Sequence, residues 1–157
     1  MLDGLRRRWR MKGHGVHSPF AFRLVTGVLR DPGEYYAYPM LTRTAKANRE
    51  NPRRIRMLFR LICEFAPATV RVDNTLTESE RAAILAADSR ITLTREDAPV
   101  AVVAEAVIPA SGVVIGRHID PALLAAPRQY GMIFTDGHRA VIVMRPDLPP
   151  QNFDVML

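Results

Sequence analysis

The apolar residues of the first 66 positions recur with a helical period. In "LDGLRRRWRMK" three apolar residues, Leu2, Leu5 and Trp9, fall on one side of a short helix. A second helix is predicted from Ser18, a capping residue that is followed by Pro19 at the first helical position. The most regular pattern lies in "NPRRIRMLFRLICEFAP", where an Asn-Pro pair opens a helix with one apolar stripe (Ile55, Leu58, Leu61, Ile62 and Phe65).

From position 67 the pattern changes to short β-branched runs that are typical of strands. The predicted strands are "TVRVD" (69–73), "RITLTRED" (90–97), "VAVVAEAVI" (100–108), "GVVIG" (112–116) and two within "YGMIFTDGHRAVIVMRP" (130–146). Helices are predicted at "TESERAAILAAD" (77–88), which opens with a capping box, and at "DPALLAA" (120–126). This alternation predicts an α/β fold with a mostly parallel sheet, an antiparallel C-terminal strand pair, and preceding N-terminal helices.

The two patterns divide the chain into two regions. We predict a basic N-terminal helical region at residues 1–66 and a reduced α/β region at residues 67–157, which together form one compact domain. The length of 157 residues and the hydrophobic content of 48% suit a globular protein that buries a single core.

Charge adds a candidate binding surface. The formal net charge is +6, and the excess of basic residues lies within the first 60 positions. Arg6, Arg7, Arg8, Arg10 and Lys12, here called the basic arm, are candidates for contact with nucleic acid, acidic lipid or another anion. A solvated helix face is the plainer interpretation. Any nucleic-acid binding by the basic arm is expected to be weak, steeply salt-dependent and nearly independent of sequence.

Several classes of protein are disfavoured by what the sequence contains. Its apolar runs are much shorter than the ~20 residues of a membrane span, and no secretory pattern follows the charged start. The single cysteine, Cys63, gives no internal disulfide framework, and its helical position predicts a small core residue. We therefore expect a cytoplasmic protein without a membrane span.

Local motifs suggest chemistry that simpler interpretations also explain. His14 and His17 could hold a metal, but metal sites need three or four ligands, so we expect the pair to anchor their loop. Ser18 is expected to cap a helix and not to act as a nucleophile. The Asp-Gly dipeptide at Asp136 predicts a hairpin turn with both residues at positive φ, in preference to a general base. Glu105 is a lone acid near the end of a predicted strand.

Three segments resemble a known family. They are "KGHGVHSPFAFRLVTGVLRD" with "YYAYPML", then "RRIRMLFRLICEFAP", and the tail "GMIFTDGHRAVIVMRPDLPPQNFDVML". Together they are similar to a group of bacterial class I S-adenosylmethionine (SAM)-dependent methyltransferase-like proteins. The resemblance covers residues 1–67 and 128–157. It implies a Rossmann-like sheet with SAM bound near the end of the first strand, where Asp73 stands, and an acid such as Glu96 or Asp97 on the cofactor ribose.

The middle of the chain departs from that family. The family's first strand ends in an acidic, glycine-rich loop, whereas the first strand here runs into "VDNTLTESERAAIL", and no glycine occurs between Gly33 and Gly112. The stretch between "RITLTRED" and "VAVVAEA" is also too short for the family's usual helices and strand. Because glycine lets backbone approach a ligand closely, we expect that SAM does not bind with useful affinity.

Three functions are compatible with these observations. The favoured one is a degenerate methyltransferase-like protein without catalysis or cofactor, which serves as a scaffold or interaction protein for an unknown protein partner. The alternatives are an active SAM-dependent methyltransferase with an atypical cofactor loop, and a non-specific nucleic-acid-binding module that uses the basic N-terminal half. We also expect self-association through the strand "RITLTRED", which the shortened middle leaves near the edge of the sheet.

Overall fold

The computed structural model describes residues 2–157, with side chains from Gly4 onward. The chain forms a helical unit, Met1–Ala68 with Thr77–Ile91, and a sheet unit, Thr69–Leu76 with Thr92–Leu157. The boundary predicted after residue 66 lies close to the first junction between the two units. The segment after the first strand, however, returns to the helical unit.

The helical unit contains five helices among the residues described. They are α1 (Leu2–Arg10), α2 (Pro19–Arg23, which continues as a π-helical segment, Leu24–Leu29), α3 (Tyr38–Ala47), α4 (Pro52–Phe65) and α5 (Glu78–Ala87). The predicted starting signals are confirmed. The Ser18 hydroxyl accepts a hydrogen bond from the Ala21 amide at 3.3 Å, and the Asn51 side chain accepts one from the Arg53 amide at 3.0 Å. Each cap satisfies an amide that the first helical turn leaves without a partner.

Helix α4 supplies much of the core of the helical unit and packs against both α3 and α5. The predicted stripe is confirmed at its first four positions and is only half-buried at Phe65. Cys63 was predicted to be a small core residue, but this prediction is wrong, because Cys63 lies exposed on α4. Partial burial of its thiol raises the pKa of Cys63, which favours the neutral thiol over the nucleophilic thiolate.

The tyrosine-rich segment before α3 packs against the helical unit. Tyr38 is buried and begins α3. Its ring lies 5.1 Å from that of Tyr35 and 6.0 Å from that of Phe59, measured between ring centroids. Edge-to-face packing of this kind fixes the segment against α4.

The sheet unit holds seven strands in the order β2-β1-β3-β4-β6-β5-β7. They are β1 (Thr69–Val72), β2 (Thr92–Thr94), β3 (Val100–Ala106), β4 (Gly112–Ile119), β5 (Met132–Thr135), β6 (Ala140–Met144) and β7 (Gln151–Asp154). Strand β6 runs antiparallel to its neighbours β4 and β5, and the other pairings are parallel. The predicted α/β class, with a mostly parallel sheet, an antiparallel C-terminal pair and preceding helices, is confirmed.

Four details of the strands differ from the prediction. Strand β2 keeps only three of the eight predicted residues, β4 continues three residues beyond Gly116, and β7 had not been predicted as a strand. The hairpin turn predicted after β5, with Asp136 and Gly137 both at positive φ, is wrong in part. Gly137 has a φ of 90°, but Asp136 is not at positive φ. Asp136 instead accepts hydrogen bonds from the amides of His138 (2.9 Å) and Arg139 (2.7 Å), which closes a longer loop.

The connections around β3 are unusually short for a parallel sheet. Residues 95–99 join β2 to β3, and residues 107–111 join β3 to β4, whereas a parallel crossover normally takes about a dozen residues or more. The first is possible because Thr94 and Val100 lie at nearly the same level along β1, opposite Arg71 and Val70. The second must run back along β3 for roughly 20 Å, which requires a nearly extended chain.

A compact core covers one face of the sheet. Ile108 of the second crossover, Leu123 and Leu124 of the short helix α6 (Ala122–Ala125), and Tyr130 pack against it. The buried residues beneath them are Ala101, Val103, Ala106, Val114, Ile119, Ile133, Ala140, Ile142 and Met144. Among the residues that the structure describes, no helix is long and apolar enough to cross a membrane.

Candidate functional site

The strand order contains a topological switch point, where successive strands are added on opposite sides of β1. From β1 the chain passes to β2 on one side, and it then returns to β3 on the other side of β1. In open α/β sheets, ligands bind outside the carboxyl ends of the strands at such a point. The candidate site is therefore the edge formed by the carboxyl ends of β1, β3 and β4.

Asp73 directly follows β1 at this edge. One carboxylate oxygen accepts the amide of Ala104 in β3 at 2.5 Å. The other accepts the amide of Thr75 at 2.9 Å and the hydroxyl of Thr75 at 2.5 Å. Both oxygens are thus used within the protein, one to hold the neighbouring strand and one to fix the turn that follows β1.

Arg117 reaches the same turn from β4. Its guanidinium donates to the Thr75 carbonyl at 2.8 Å, lies 3.4 Å from the Asp73 carboxylate, and also contacts the Thr75 hydroxyl. About 31% of the side-chain surface is exposed for both Arg117 and Asp73, so the ion pair is partly accessible to solvent at this edge of the sheet. Arg117 therefore stands where a ligand at the end of β1 would approach.

The charge on Asp73 is stabilised by these partners. Burial raises the pKa of Asp73, but hydrogen bonds from the Thr75 hydroxyl and from the Ala104 and Thr75 amides outweigh it. Together with the Arg117 guanidinium they hold the pKa below its ordinary value. The Asp73 carboxylate is consequently ionised, and both of its oxygens already accept hydrogen bonds from groups of the sheet unit.

The other two acids predicted for the cofactor do not join this cluster. The Asp97 side chain is fully exposed, with its carboxylate 3.9 Å from the guanidinium of Arg71. Glu96 is exposed, and its amide donates to the Thr94 hydroxyl at 3.1 Å. The side chain that reaches the turn after β1 from this direction is that of Arg95, which contacts the Asn74 side chain.

Glu105 was predicted to be a lone acid, but it has a partner. It stands opposite His118 across the β3–β4 pair, and the His118 ring nitrogen Nδ1 lies 2.8 Å from a Glu105 carboxylate oxygen. Both side chains are exposed. An exposed cross-strand pair of this kind contributes little to stability, and we assign it no catalytic role.

The basic arm lies on α1 and the turn that follows it. Arg6, Arg8 and Lys12 are exposed, and Arg7 and Arg10 are half-buried. The arm belongs to the helical unit, and it is a second candidate surface separate in the sequence from the Asp73 cluster.

His14 and His17 are both exposed in the loop after α1. The ring of His14 lies 5.0 Å from that of Trp9, which ties the loop to α1. Among the side chains that the structure describes, from Gly4 onward, no three of His, Cys, Asp or Glu are arranged to hold a metal ion.

Arg117 is the site residue that sequence reasoning missed. The predicted strand ended at Gly116, so the charged residues that follow were left outside any predicted element. The available signal was a charged pair, Arg117-His118, directly after an apolar strand run and before Ile119. Such a run can continue the strand to the carboxyl edge of a sheet, where ligand contacts are made.

Comparison of the chain with models of known protein families, with curated proteins and with solved structures finds no match.

Proposed function

We propose that the protein is a degenerate methyltransferase-like scaffold or interaction protein that neither binds SAM nor catalyses methyl transfer. The observation that carries this proposal is the contact of Arg117 with Asp73 and Thr75 at the end of β1. A cofactor at this edge would have to displace the guanidinium, and it would leave the partly buried Asp73 carboxylate without that partner.

The turn after β1 supports the same conclusion. It is formed by Asp73, Asn74, Thr75 and Leu76, none of which is a glycine. Thr75 is β-branched and its hydroxyl is bonded to Asp73, so its side chain fills space that glycine would leave open. The resemblance to SAM-dependent methyltransferase-like proteins supports the proposal that the sheet derives from such a protein. The turn supports the proposal that cofactor binding has been lost.

The missing crossover helices add a third reason. Residues 95–99 contain no helix, so little chain is available there to enclose an adenine ring beside the end of β2. Binding sites for small molecules normally enclose most of their ligand. A cofactor here would be bound at an open edge of the sheet, and only the loop of residues 95–99 would enclose it on the side of β2.

The decisive experiment is titration of the protein with SAM and with its demethylated product, measured by calorimetry and by thermal shift. We expect a dissociation constant weaker than about 1 mM for both compounds. ATP serves as the control, because it shares the adenosine group and would reveal non-specific anion binding by the basic arm. A dissociation constant of about 10 μM or tighter for SAM, and not for ATP, would overturn the proposal and restore the enzyme interpretation.

One interaction that we propose is self-association through β2. This strand forms one edge of the sheet and pairs only through Thr92, Leu93 and Thr94 with β1, which leaves its outer side without a partner strand. Because so short an edge offers few hydrogen bonds, the association should be weak and should depend on concentration.

Light scattering at increasing protein concentration tests this interaction. The exposed Thr92 allows the variant Thr92→Lys, which places a charge on the edge and should keep the protein monomeric. Gln151→Lys makes the matched change on β7 at the opposite edge and should still associate. A wild-type protein that stays strictly monomeric at the highest attainable concentration would contradict the proposal.

A further inference from the structure

Helix α1 presents an apolar surface that is not buried. Leu5 is 57% exposed and Trp9 is 66% exposed, although they lie one helical turn apart on the same side. From Gly4 to Arg10, no side chain of the helix is buried. An exposed tryptophan next to an exposed leucine indicates a surface that meets another apolar phase.

The chain next to α1 is nevertheless anchored. Met11 and Val16, which follow the helix, are each only 7% exposed. Between them, Gly13 has a φ of 85°, and the ring of Phe22 lies so close that a side chain at Gly13 would collide with it. The helix is thus attached to the helical unit at its carboxyl end, while its own apolar side stays open.

The charges on α1 are placed beside this apolar side. At about 100° per residue, Arg6 lies roughly 60° from Trp9 on one side, and Arg8 lies roughly 60° from Leu5 on the other. Arginine side chains in such flanking positions can lay their methylene groups along an apolar phase and keep the guanidinium in water. Arg7 and Arg10 continue the positive charge around the helix.

A shallow groove completes the surface. It has a volume of about 430 Å³ and is lined by Leu5, Arg6, Trp9, Arg10, His14 and Gly15. The rings of Trp9 and His14, two of these lining residues, lie 5.0 Å apart between their centroids. A groove lined by apolar residues and two arginines matches a molecule that has a hydrocarbon part and an anionic head.

We propose that α1 and the His14–Gly15 turn bind the surface of a bilayer that contains anionic phospholipid. The helix lies in the interface plane with Leu5 and Trp9 at the boundary of the acyl chains, and with Arg6, Arg8 and Arg10 at the phosphate groups. Nucleic acid would account for the arginines and for stacking on Trp9, but it leaves Leu5 unexplained. The proposal does not depend on whether the sheet unit binds SAM.

Trp9 provides the measurement, because it is the single tryptophan of the chain. The full-length protein is titrated with vesicles of phosphatidylglycerol and phosphatidylcholine in equal parts, and with vesicles of phosphatidylcholine alone. We expect a blue shift of the emission and protection from acrylamide with the anionic vesicles only. Brominated acyl chains in the same vesicles should quench Trp9, and the binding should weaken as salt is added.

Variants separate the apolar and the charged contributions. Arg6→Gln with Arg10→Gln should weaken vesicle binding about 25-fold, from about fivefold for each arginine near an anionic surface. The matched control, Arg43→Gln with Arg53→Gln, removes the same charge from exposed positions of α3 and α4 and should bind like the wild type, apart from a small general effect. Leu5→Ser should weaken binding, whereas Val107→Ser, at a position of similar exposure in the sheet unit, should not.

Three outcomes would overturn the proposal. One is the absence of any spectral change with anionic vesicles. Another is equal loss of binding in the two arginine pairs, which would show attraction by overall charge alone. The third is tight binding of a single-stranded oligonucleotide that depends on the arginines and not on Leu5, without vesicle binding, which would assign the surface to nucleic acid.

Discussion

Helices α1 and α4 carry the same number of arginines and use them in opposite ways. In α4 the apolar stripe is buried against α3 and α5, and two of its four arginines, Arg56 and Arg60, are half-buried and bond to neighbouring segments. Arg60 donates to the Val28 carbonyl at 2.6 Å, the Leu29 carbonyl at 3.0 Å and the Tyr38 hydroxyl at 2.7 Å. In α1 neither Leu5 nor Trp9 is buried. Composition and periodicity alone therefore do not distinguish a core helix from a surface helix that meets a partner.

The partners of α4 explain why its charge is structural. The π-helical segment ends at Leu29, and a helix end leaves carbonyl groups without intrahelical partners. Arg60 satisfies two of those carbonyls, while Arg56 donates to the Thr42 hydroxyl and lies over the Tyr38 ring at 4.7 Å. These contacts join α4 to the segments before it, and removing one should destabilise the helical unit.

The largest difference should come from truncating one leucine in each helix. Leu61 is fully buried, so Leu61→Ala should lower the free energy of unfolding by about 3 kcal/mol through lost burial and a residual cavity. Leu5→Ala should change it by less than about 0.5 kcal/mol. Urea unfolding followed by circular dichroism measures both values. A large loss in Leu5→Ala would mean that the face of α1 is covered in solution, and the comparison would fail.

A smaller difference is expected from the arginines. Arg60→Met keeps an unbranched apolar side chain but leaves two carbonyls and a hydroxyl without their donor, so it should destabilise by about 2 kcal/mol. The matched variant Arg8→Met on α1 should stay within about 0.5 kcal/mol of the wild type. Thermal unfolding of the three proteins in one buffer provides the measurement. Equal stability of Arg60→Met and Arg8→Met would contradict the structural role of Arg60.

The start of α4 gives the next effect. Asn51 caps the helix through the Arg53 amide, so Asn51→Ala should cost about 1 kcal/mol, and Asn51→Asp should restore most of it. Urea midpoints at constant slope would show the loss and the rescue. If Asn51→Asp were no more stable than Asn51→Ala, the cap would not be the source of the effect.

The smallest effect concerns pH and the segment that packs against α4. A hydrogen bond to Asp31 raises the pKa of Tyr35 to about 12, above its ordinary value of 10.0. Because the folded pKa is the higher one, the stability from this bond is complete below pH 10 and is lost as the pH rises to about 12. The difference in melting temperature between the wild type and Tyr35→Phe should shrink in that window. A difference that stays constant would contradict the assignment.

The same bond acts on Asp31 at low pH. The Tyr35 hydroxyl, the Gly33 amide and the charge of Arg60 lower the pKa of Asp31 in spite of its partial burial. A lowered pKa contributes stability that is present above the ordinary pKa of 3.8 and is lost as the pH falls through the pKa of the folded protein. From Gly4 to Arg10, helix α1 contains no Asp or Glu. The stability of Arg8→Met should therefore depend on pH as that of the wild type does, at both low and high pH.

The predictable parts of the fold were those with strong local signals. The α4 stripe, the Ser18 and Asn51 caps, and the capping box of α5 could be read from spacing, because each depends on residues within one or two helical turns. Helix α3 also had a signal, a proline at its start with Leu41 and Ala45 at helical spacing, but no helix was predicted there. Strand β7 had little local signal, since "QNFD" is mostly polar and becomes a strand only by pairing with β5.

The candidate site was only half predictable for the same reason. Asp73 was predicted because the resemblance places the cofactor near the end of the first strand, where Asp73 stands. Arg117 joins it from more than 40 positions away, and that contact depends on the register of β1, β3 and β4. No local pattern encodes such a register when the crossovers are shorter than usual. Cys63 and Asp136 failed for a finer reason, since a helical phase and a dipeptide preference do not fix exposure or a φ angle.

The short connection between β3 and β4 also affects how the chain reaches its fold. Glu105 and His118 face each other across these strands and are only 13 positions apart, a separation closer to that of a long hairpin than of a parallel pair. The entropy lost on closing a loop grows with its length, and parallel sheets fold slowly because their partners are usually distant in sequence. Pairing of β3 with β4 is thus a nearly local event, and we expect this pair to form early and to provide the template on which β1 and β6 assemble.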